Sequence, residues 1–249
     1  MSAPLLLLAW AVAAPLPDLA DAVAVAPVDR VELRVEASVG ASLARVDVDV
    51  TARYTPAVDL DEVPVVLAAE RYRTPGPLSP SEVREAFPSG FSPGGFDDLV
   101  LELDGARCTP RIEVLAEGER IAWCPRVVAA GQPVVVRARA TLRVPERYGG
   151  FGRVGRSLTL AGGWLPLPGR PGAAPPRGPW ALTLSAPAEL MAVVGSAPRP
   201  SAGERGRRVV VATGEGAQVP LVLRPGAWRA LSLAEGQARF LTGSAPQGR

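Results

Sequence analysis

The chain has 249 residues and a formal net charge of +2, with 27 basic side chains, all arginine, against 25 acids, and no histidine, lysine or asparagine. Lacking imidazole and amine side chains, it cannot build paired-imidazole metal sites, Ser-His-Asp triads, Cys-His dyads, P-loops, kinase sites or Schiff bases. The length suits one large domain or two small ones, and the 26 glycines and 27 prolines lie scattered among aliphatic residues as turn punctuation.

The amino terminus reads as an export signal. Leu5 to Ala14 is an unbroken apolar run, too short to span a bilayer as a helix, and Ala20-Asp21-Ala22 has the small-x-small form of a cleavage site, with Ala11-Val12-Ala13 as a second candidate. The positive charge ahead of the run is only the terminal amine, since Arg30 is the first arginine. Residues 1–22 are therefore expected to be a signal peptide, the mature chain being periplasmic, cell-surface or extracellular. The competing reading is an apolar leader on a cytosolic protein. No later segment is apolar over a membrane-spanning length, so none is expected in the mature product.

From Asp29 the pattern has period two. Val31, Leu33, Val35, Ala37 and Val39 alternate with charged residues, Gly40-Ala41-Ser42 turns the chain, and Val46 to Tyr54 alternates again. This predicts a hairpin with one wet face, on which opposite charges pair across the two strands. Val63 to Ala69 reads as a short buried strand. Residues 73–96 break the rhythm with prolines and glycines; they are expected to cross the surface, with one or two helical turns over Ser81 to Phe87.

Strands resume at Leu99 to Leu103, Arg111 to Ala116 and Arg120 to Cys124. Cys108 and Cys124 are either a disulfide closing a loop of seventeen residues or two reduced, buried thiols. A hairpin centred on Gly118-Glu119 sets Cys124 opposite residues 112 to 113, so bridging to Cys108 requires a bend at Pro110. Pro133 to Val144 is the clearest strand, with Arg137, Arg139 and Arg143 on a face expected to be solvated. After a Gly-rich turn, further strands are expected at Ser157 to Ala161, Trp180 to Ser185, Met191 to Val194, Arg208 to Thr213, Val219 to Leu223 and Trp228 to Leu233.

Many short strands with regular turns and no convincing helical period predict an all-β fold. Its form is a β-sandwich, or a saddle-shaped stack of mostly antiparallel sheets, over residues 23–233, with a tail at 234–249.

The arginines are interleaved with acids, and Arg205, Arg207 and Arg208 read as a solvated loop, so no nucleic-acid surface is expected. Gly150-Phe151-Gly152-Arg153-Val154-Gly155 spells G-x-G-x-x-G after a strand. Ser157 to Leu160, just beyond it, reads as another strand instead of a helix, which removes the phosphate-binding interpretation. Asp59, Asp61, Glu62, Asp97, Asp98 and Glu102 are the carboxylates available for two-carboxylate hydrolysis, and Asp59-Leu60-Asp61-Glu62 for calcium; wet-face charge is the competing reading of all of them.

From Pro145 the chain reads Pro-Glu-Arg-Tyr-Gly-Gly-Phe-Gly-Arg-Val-Gly, then Leu-Thr-Leu-Ala-Gly-Gly-Trp-Leu-Pro to Pro166. A strand ending in Pro145, the Gly150-Phe151-Gly152 turn, a short strand, and Gly163-Trp164-x-Pro166 resemble the amino-terminal domain of the aminopeptidase N family of zinc metallopeptidases. The likeness extends over most of residues 28–233, with Leu165 in place of the aromatic usual before the proline.

The resemblance implies a saddle of β-sheets that packs against a separate catalytic domain bearing His-Glu-x-x-His, and this sequence stops where that domain is expected to start. No catalytic, cofactor or zinc-binding residue carries over. The expectation is a non-catalytic binding or scaffolding module whose partner is a peptidase catalytic chain or another envelope protein. The alternative is the amino-terminal part of a split or truncated zinc aminopeptidase.

Overall fold

The computed structural model describes residues 28–76, 78–115, 118–194, 199–201, 206–226, 228–231 and 240–243. The expected signal peptide at 1–22 lies outside the described residues. Strands β1 (Arg30–Val39) and β2 (Arg45–Thr55) form the predicted hairpin, and every inward residue from Val31 to Val39 and from Val46 to Tyr54 is buried. The turn between them uses Leu43 at positive φ and not a glycine.

Next come β3 (Leu60–Leu67), a 3-10 turn over Ala68–Arg73, helix α1 (Pro80–Ala86) and β4 (Gly95–Leu103). Helix α1 starts where Ser79 caps it: the Ser79 hydroxyl accepts from the Glu82 amide while the Glu82 carboxylate accepts from the Ser79 amide, a reciprocal capping box. Residues 73–96 are not a purely surface excursion. Phe87 and Phe96 are both buried, and β4 begins at Gly95, four residues before the alternation suggests.

β5 (Ala106–Cys108), β6 (Arg111–Val114), β7 (Arg120–Val128) and β8 (Val134–Arg143) follow. Then come β9 (Phe151–Val154), β10 (Ser157–Leu160), β11 (Leu167–Pro168), β12 (Gly178–Pro187), β13 (Leu190–Val194), β14 (Arg199–Ser201), β15 (Arg207–Gly216), β16 (Leu221–Pro225), β17 (Trp228–Leu231) and β18 (Phe240–Gly243). The last of these lies in the stretch expected as a tail and pairs with β17. The G-x-G-x-x-G segment is a β-hairpin: Val154 pairs with Ser157 across a two-residue loop whose first residue, Gly155, has φ +55°.

Three sheets carry the architecture. The largest has eight strands in the order β14-β15-β12-β1-β2-β8-β4-β5, parallel only at β1/β12. Two four-stranded sheets, β13-β16-β10-β9 and β11-β3-β7-β6, are antiparallel. Their apolar faces and that of the large sheet merge into one continuous buried cluster, which makes the fold an all-β sandwich. Each fully buried Val or Leu in it contributes about 1.5–3 kcal/mol of transfer free energy.

The wet face of the large sheet is ordered by register. Within the β1/β2 hairpin Glu32 stands opposite Arg53, as expected, but Glu36 stands opposite Asp49, and the acids of β2 turn to β8. Arg137 binds Asp49 through two nitrogens, at 3.0 and 2.6 Å; Arg139 meets Glu102 at 2.7 Å, and Arg143 grips Asp97 at 2.7 Å. The three arginines expected to be merely solvated are thus paired, Arg137 and Arg139 still exposed and Arg143 half-buried. Arg207 and Arg208 also depart from the expected solvated loop, whose Arg205 lies outside the described residues. Arg207 donates to Ser185 Oγ, Ser38 Oγ and two backbone carbonyls at the end of the sheet, and Arg208 donates to the Leu190 carbonyl.

Cys108 and Cys124 are bonded, with Cα atoms 5.9 Å apart. The β6/β7 register differs from expectation. Arg111 pairs with Trp123, so the hairpin centres on residue 117 and continues to set Cys124 level with Pro110, close enough to reach Cys108. The bond links an outermost strand of the large sheet, β5, to β7 of a small one.

Candidate functional site

Four of the six carboxylates singled out from the sequence are already engaged by arginines or a backbone amide. Asp97 and Glu102 are held by Arg143 and Arg139; Glu62 is held by Arg111 at 2.7 Å, and Asp59 accepts from the Ala130 amide. Asp61 is exposed on β3, and Asp98 sits in a β-bulge at φ +55°. Among the described residues no group of three His, Cys, Asp or Glu side chains comes together to hold a metal, the Asp59–Glu62 segment included.

What the fold does assemble is a groove where the 3-10 turn, the β6/β7 hairpin, the β8–β9 connection and the Gly162-Gly163 turn meet. Its foundation is buried Glu70. That carboxylate accepts from the Phe96 amide at 2.7 Å and from Arg73 Nε, with Arg120 at 3.4 Å. The Glu70 hydrogen bond holds the Arg73 guanidinium above its ordinary pKa against the opposing effect of burial. With Glu70 turned inward, the next two side chains of the turn, Arg71 and Tyr72, face the groove.

Tyr72 stacks on Phe151 with ring centroids 4.3 Å apart and planes 16° off parallel. Two guanidinium groups lie over the Tyr72 ring, Arg71 at 5.0 Å and Arg147 at 5.3 Å, and Arg147 also lies 5.9 Å from the centroid of Phe87. Arg71 pairs with Glu119 at 3.3 Å and donates to the Tyr72 hydroxyl at 3.0 Å.

The residues singled out from the sequence motif build this end of the groove. Gly152, at φ +153°, lies where a Cβ would stand 2.5 Å from the Arg147 carbonyl oxygen. The Arg147 amide donates to the Arg153 carbonyl, and the Arg153 amide to the Pro145 carbonyl. The backbone carrying Arg147 is therefore clamped onto β9, and Phe151 holds the ring beneath it. Pro145 is buried in van der Waals range of Gly94, and the Gly150 carbonyl accepts from the Ala161 amide.

Gly163, at φ +70°, closes on Ala68. Trp164 and Pro166 are buried, and the Trp164 indole N–H donates to the Val219 carbonyl, fixing the chain beside Gln218. Gln218 lies so close over Gly162 that any Cβ there would occupy the position of its amide. We expect Gly152→Ala to cost about 2–3 kcal/mol from backbone strain and the clash with Arg147. A denaturant midpoint lying within error of the wild type would show that this clamp is dispensable.

The groove has two lobes. The basic lobe, about 430 Å³, is lined by Arg71, Tyr72, Glu119, Arg147, Phe151 and Gln218 with the glycine backbone. The apolar lobe, about 270 Å³, lies among Leu115, Ile121, Leu165, Leu167 and the Pro168–Pro176 loop. They share Ala68, Glu119, Gly163 and Gln218, so the two lobes lie side by side. Larger depressions on the wet face of the eight-stranded sheet are open and lined by its charged and small side chains.

The sequence motif supplied the frame of the groove but not its polar contacts: Arg71, Tyr72, Glu119 and Gln218 come from three distant segments. Arg147 had a local signal, since it stands inside the motif between Pro145 and Gly150.

No protein-family model and no curated protein matches the chain. Solved structures do. An M1 zinc metallopeptidase from Deinococcus radiodurans superposes with a TM-score of 0.52 at 14% identity, and a variant of it bound to a Tyr-Ser-Ala substrate with 0.55 at 14% identity; each match covers 86% of this chain and 46% of that one. A two-domain M1 zinc metallopeptidase variant bound to L-tryptophan gives 0.55 at 13% identity, covering 86% and 47%. The chain thus spans less than half the length of the structures it matches. What is shared is a fold, that of a domain of the type found at the amino end of these peptidases.

Proposed function

We propose that this chain is an exported, non-catalytic β-sandwich module that works by binding a companion chain, in the manner of the amino-terminal domain it resembles in fold. The groove is the observation that carries this reading. It offers arginines, aromatic faces, an amide and a glutamate already paired with Arg71, a set suited to recognition, with no nucleophile and base to share a proton. Export is supported by the apolar run at Leu5 to Ala14 and fits the Cys108–Cys124 bond, since disulfides persist in oxidising compartments.

A second reading has a specific observation behind it. The shared fold is that of a domain of M1 zinc metallopeptidases, which favours this chain as an amino-terminal part of a zinc aminopeptidase that acts with a separate catalytic chain.

The experiment uses the full chain as bait on the envelope fraction of the cells that make it, followed by assays on aminoacyl-p-nitroanilides with zinc. The first reading expects a stoichiometric companion and no hydrolysis by the chain alone or by the complex. A companion bearing His-Glu-x-x-His whose aminopeptidase activity depends on this chain selects the second. Hydrolysis by the isolated chain overturns both, and mass spectrometry of the recovered chain with residues 1–22 still attached refutes export by signal cleavage.

A further inference from the structure

Arg147 stands apart from the other arginines around the groove. Arg71 is matched by Glu119, Arg73 and Arg120 by Glu70, and Arg153 by Glu146 at 3.5 Å. No ion pair among the described residues includes Arg147. Its guanidinium, half-buried, lies over the rings of Tyr72 and Phe87. Ring faces orient a guanidinium without using its N–H groups, which lie in its plane and stay available for a planar, two-oxygen anion. The partner that would normally satisfy such a cation is a carboxylate, and none among the described residues pairs with it.

The rest of the groove describes what carries that carboxylate. The apolar lobe adjoins the basic one, and at about 270 Å³ it falls just below the range of drug-sized sites, with room for a bulky apolar side chain. Between the lobes the lip is formed by Glu119, Gln218 and the Gly162-Gly163 backbone, donors and acceptors that suit a peptide bond. A free α-amine would find net positive charge at the basic lobe, two arginines against one glutamate, and is disfavoured there.

We propose that the groove binds the carboxyl-terminal end of an apolar peptide, with the carboxylate on Arg147 and an apolar side chain in the lobe lined by Leu165, Leu167 and the proline loop. This rests on the reading of the chain as a binding module and names the ligand of its groove.

The test is calorimetric titration of the full chain with N-acetyl-Ala-Leu-Leu, with its carboxy-terminal amide, and with octanoate, which carries a carboxylate on an acyl chain. The acid peptide should bind about tenfold more tightly than the amide, the difference expected for one charge-assisted contact. Octanoate should be weaker than the acid peptide by a similar factor. Arg147→Gln should bring the acid peptide to the affinity of the amide. Arg147→Lys, which keeps the charge and loses the planar fork, should retain part of the preference, and thermal melting of both variants reports whether the fold survives.

Equal affinity for acid and amide in the wild type, tighter binding of octanoate, or no heat from any probe at low-millimolar concentration each overturns the proposal. So does a folded Arg147→Gln variant that still prefers the acid. Because capture of a companion chain is read separately, a failure here is distinguishable from a failure of that reading and leaves it standing.

Discussion

Replacing Asp29 with alanine should lower the stability of the chain by about 3–5 kcal/mol, the range for removing one member of a buried ion pair. Asp29 is 1% exposed at the start of β1. Its carboxylate accepts from the Tyr54 hydroxyl at 2.7 Å, the Ala57 amide at 2.9 Å and Arg170 Nε at 3.1 Å. Alanine would take the acceptor from a buried phenol and a half-buried amide, and one acceptor from the Arg170 guanidinium. Tyr54 is itself fully buried, and burial together with the Asp29 carboxylate pushes its phenol well above the ordinary tyrosine range, so the hydroxyl stays a donor throughout the accessible pH range.

The same site predicts an acid dependence. Burial alone would raise the Asp29 pKa, but the hydrogen bonds from Arg170, Ala57 and Tyr54 outweigh it and the net effect is a pKa below the ordinary 3.8. A carboxyl depressed in the folded state contributes stability that is fully present above its unfolded pKa. That contribution is lost as pH falls through the folded value. The wild type should therefore shed this part of its stability below about pH 4, while Asp29→Asn, which cannot ionise, should not. Urea titrations of both proteins at neutral pH and at successively lower pH check it: the gap between them should narrow on acidification, and a constant or widening gap contradicts the assignment.

Asp29 also reaches the groove. Arg170 belongs to the proline loop that walls the apolar lobe, and the Arg177 amide donates to the Asp29 carbonyl. Loss of the carboxylate frees one end of that loop from β1, so the variant should weaken binding in the apolar lobe while leaving Arg147 in place.

How far such a site can be read from residues alone depends on whether its signal is local. β1, β2 and β8 were legible because one face of each is wet and one buried, so polarity alternates along the chain itself. β9 was not, because Phe151-Gly152 looks like a turn and forms a strand only when Gly152 lets the Arg147 backbone approach. β7 was expected to end at Cys124 but runs through Pro125 to Val128, with Pro125 level with Glu62 beside a β-bulge against β3. The motif from Pro145 to Pro166 marked the right region. The meeting of Tyr72, Phe87 and Arg147 is long-range, and nothing in the local pattern of residues 68–91 announces that Tyr72 will stack on Phe151 or that Phe87 will be buried.

The disulfide gives the second large effect. Cys124 is fully buried on β7, and Cys108 packs against the core from β5, which has only three residues and pairs with the large sheet through β4 alone. Closing a loop with a sequence separation of 16 should stabilise the fold by about 3 kcal/mol in the chain-entropy model. The double variant Cys108→Ala/Cys124→Ala should melt roughly 6–12 °C below the wild type, given the usual sensitivity of chains of this size. Reductant should reproduce most of that shift in the wild type and none in the variant. The bond is also what holds β5 against the small sheet, so amide exchange at Ala106 to Cys108 should accelerate far more than exchange in β1 or β2, whose hydrogen bonds lie at the centre of the large sheet. A melting temperature unchanged by reductant, with β5 amides as protected as before, would mean that the sandwich holds its outermost strand by packing alone.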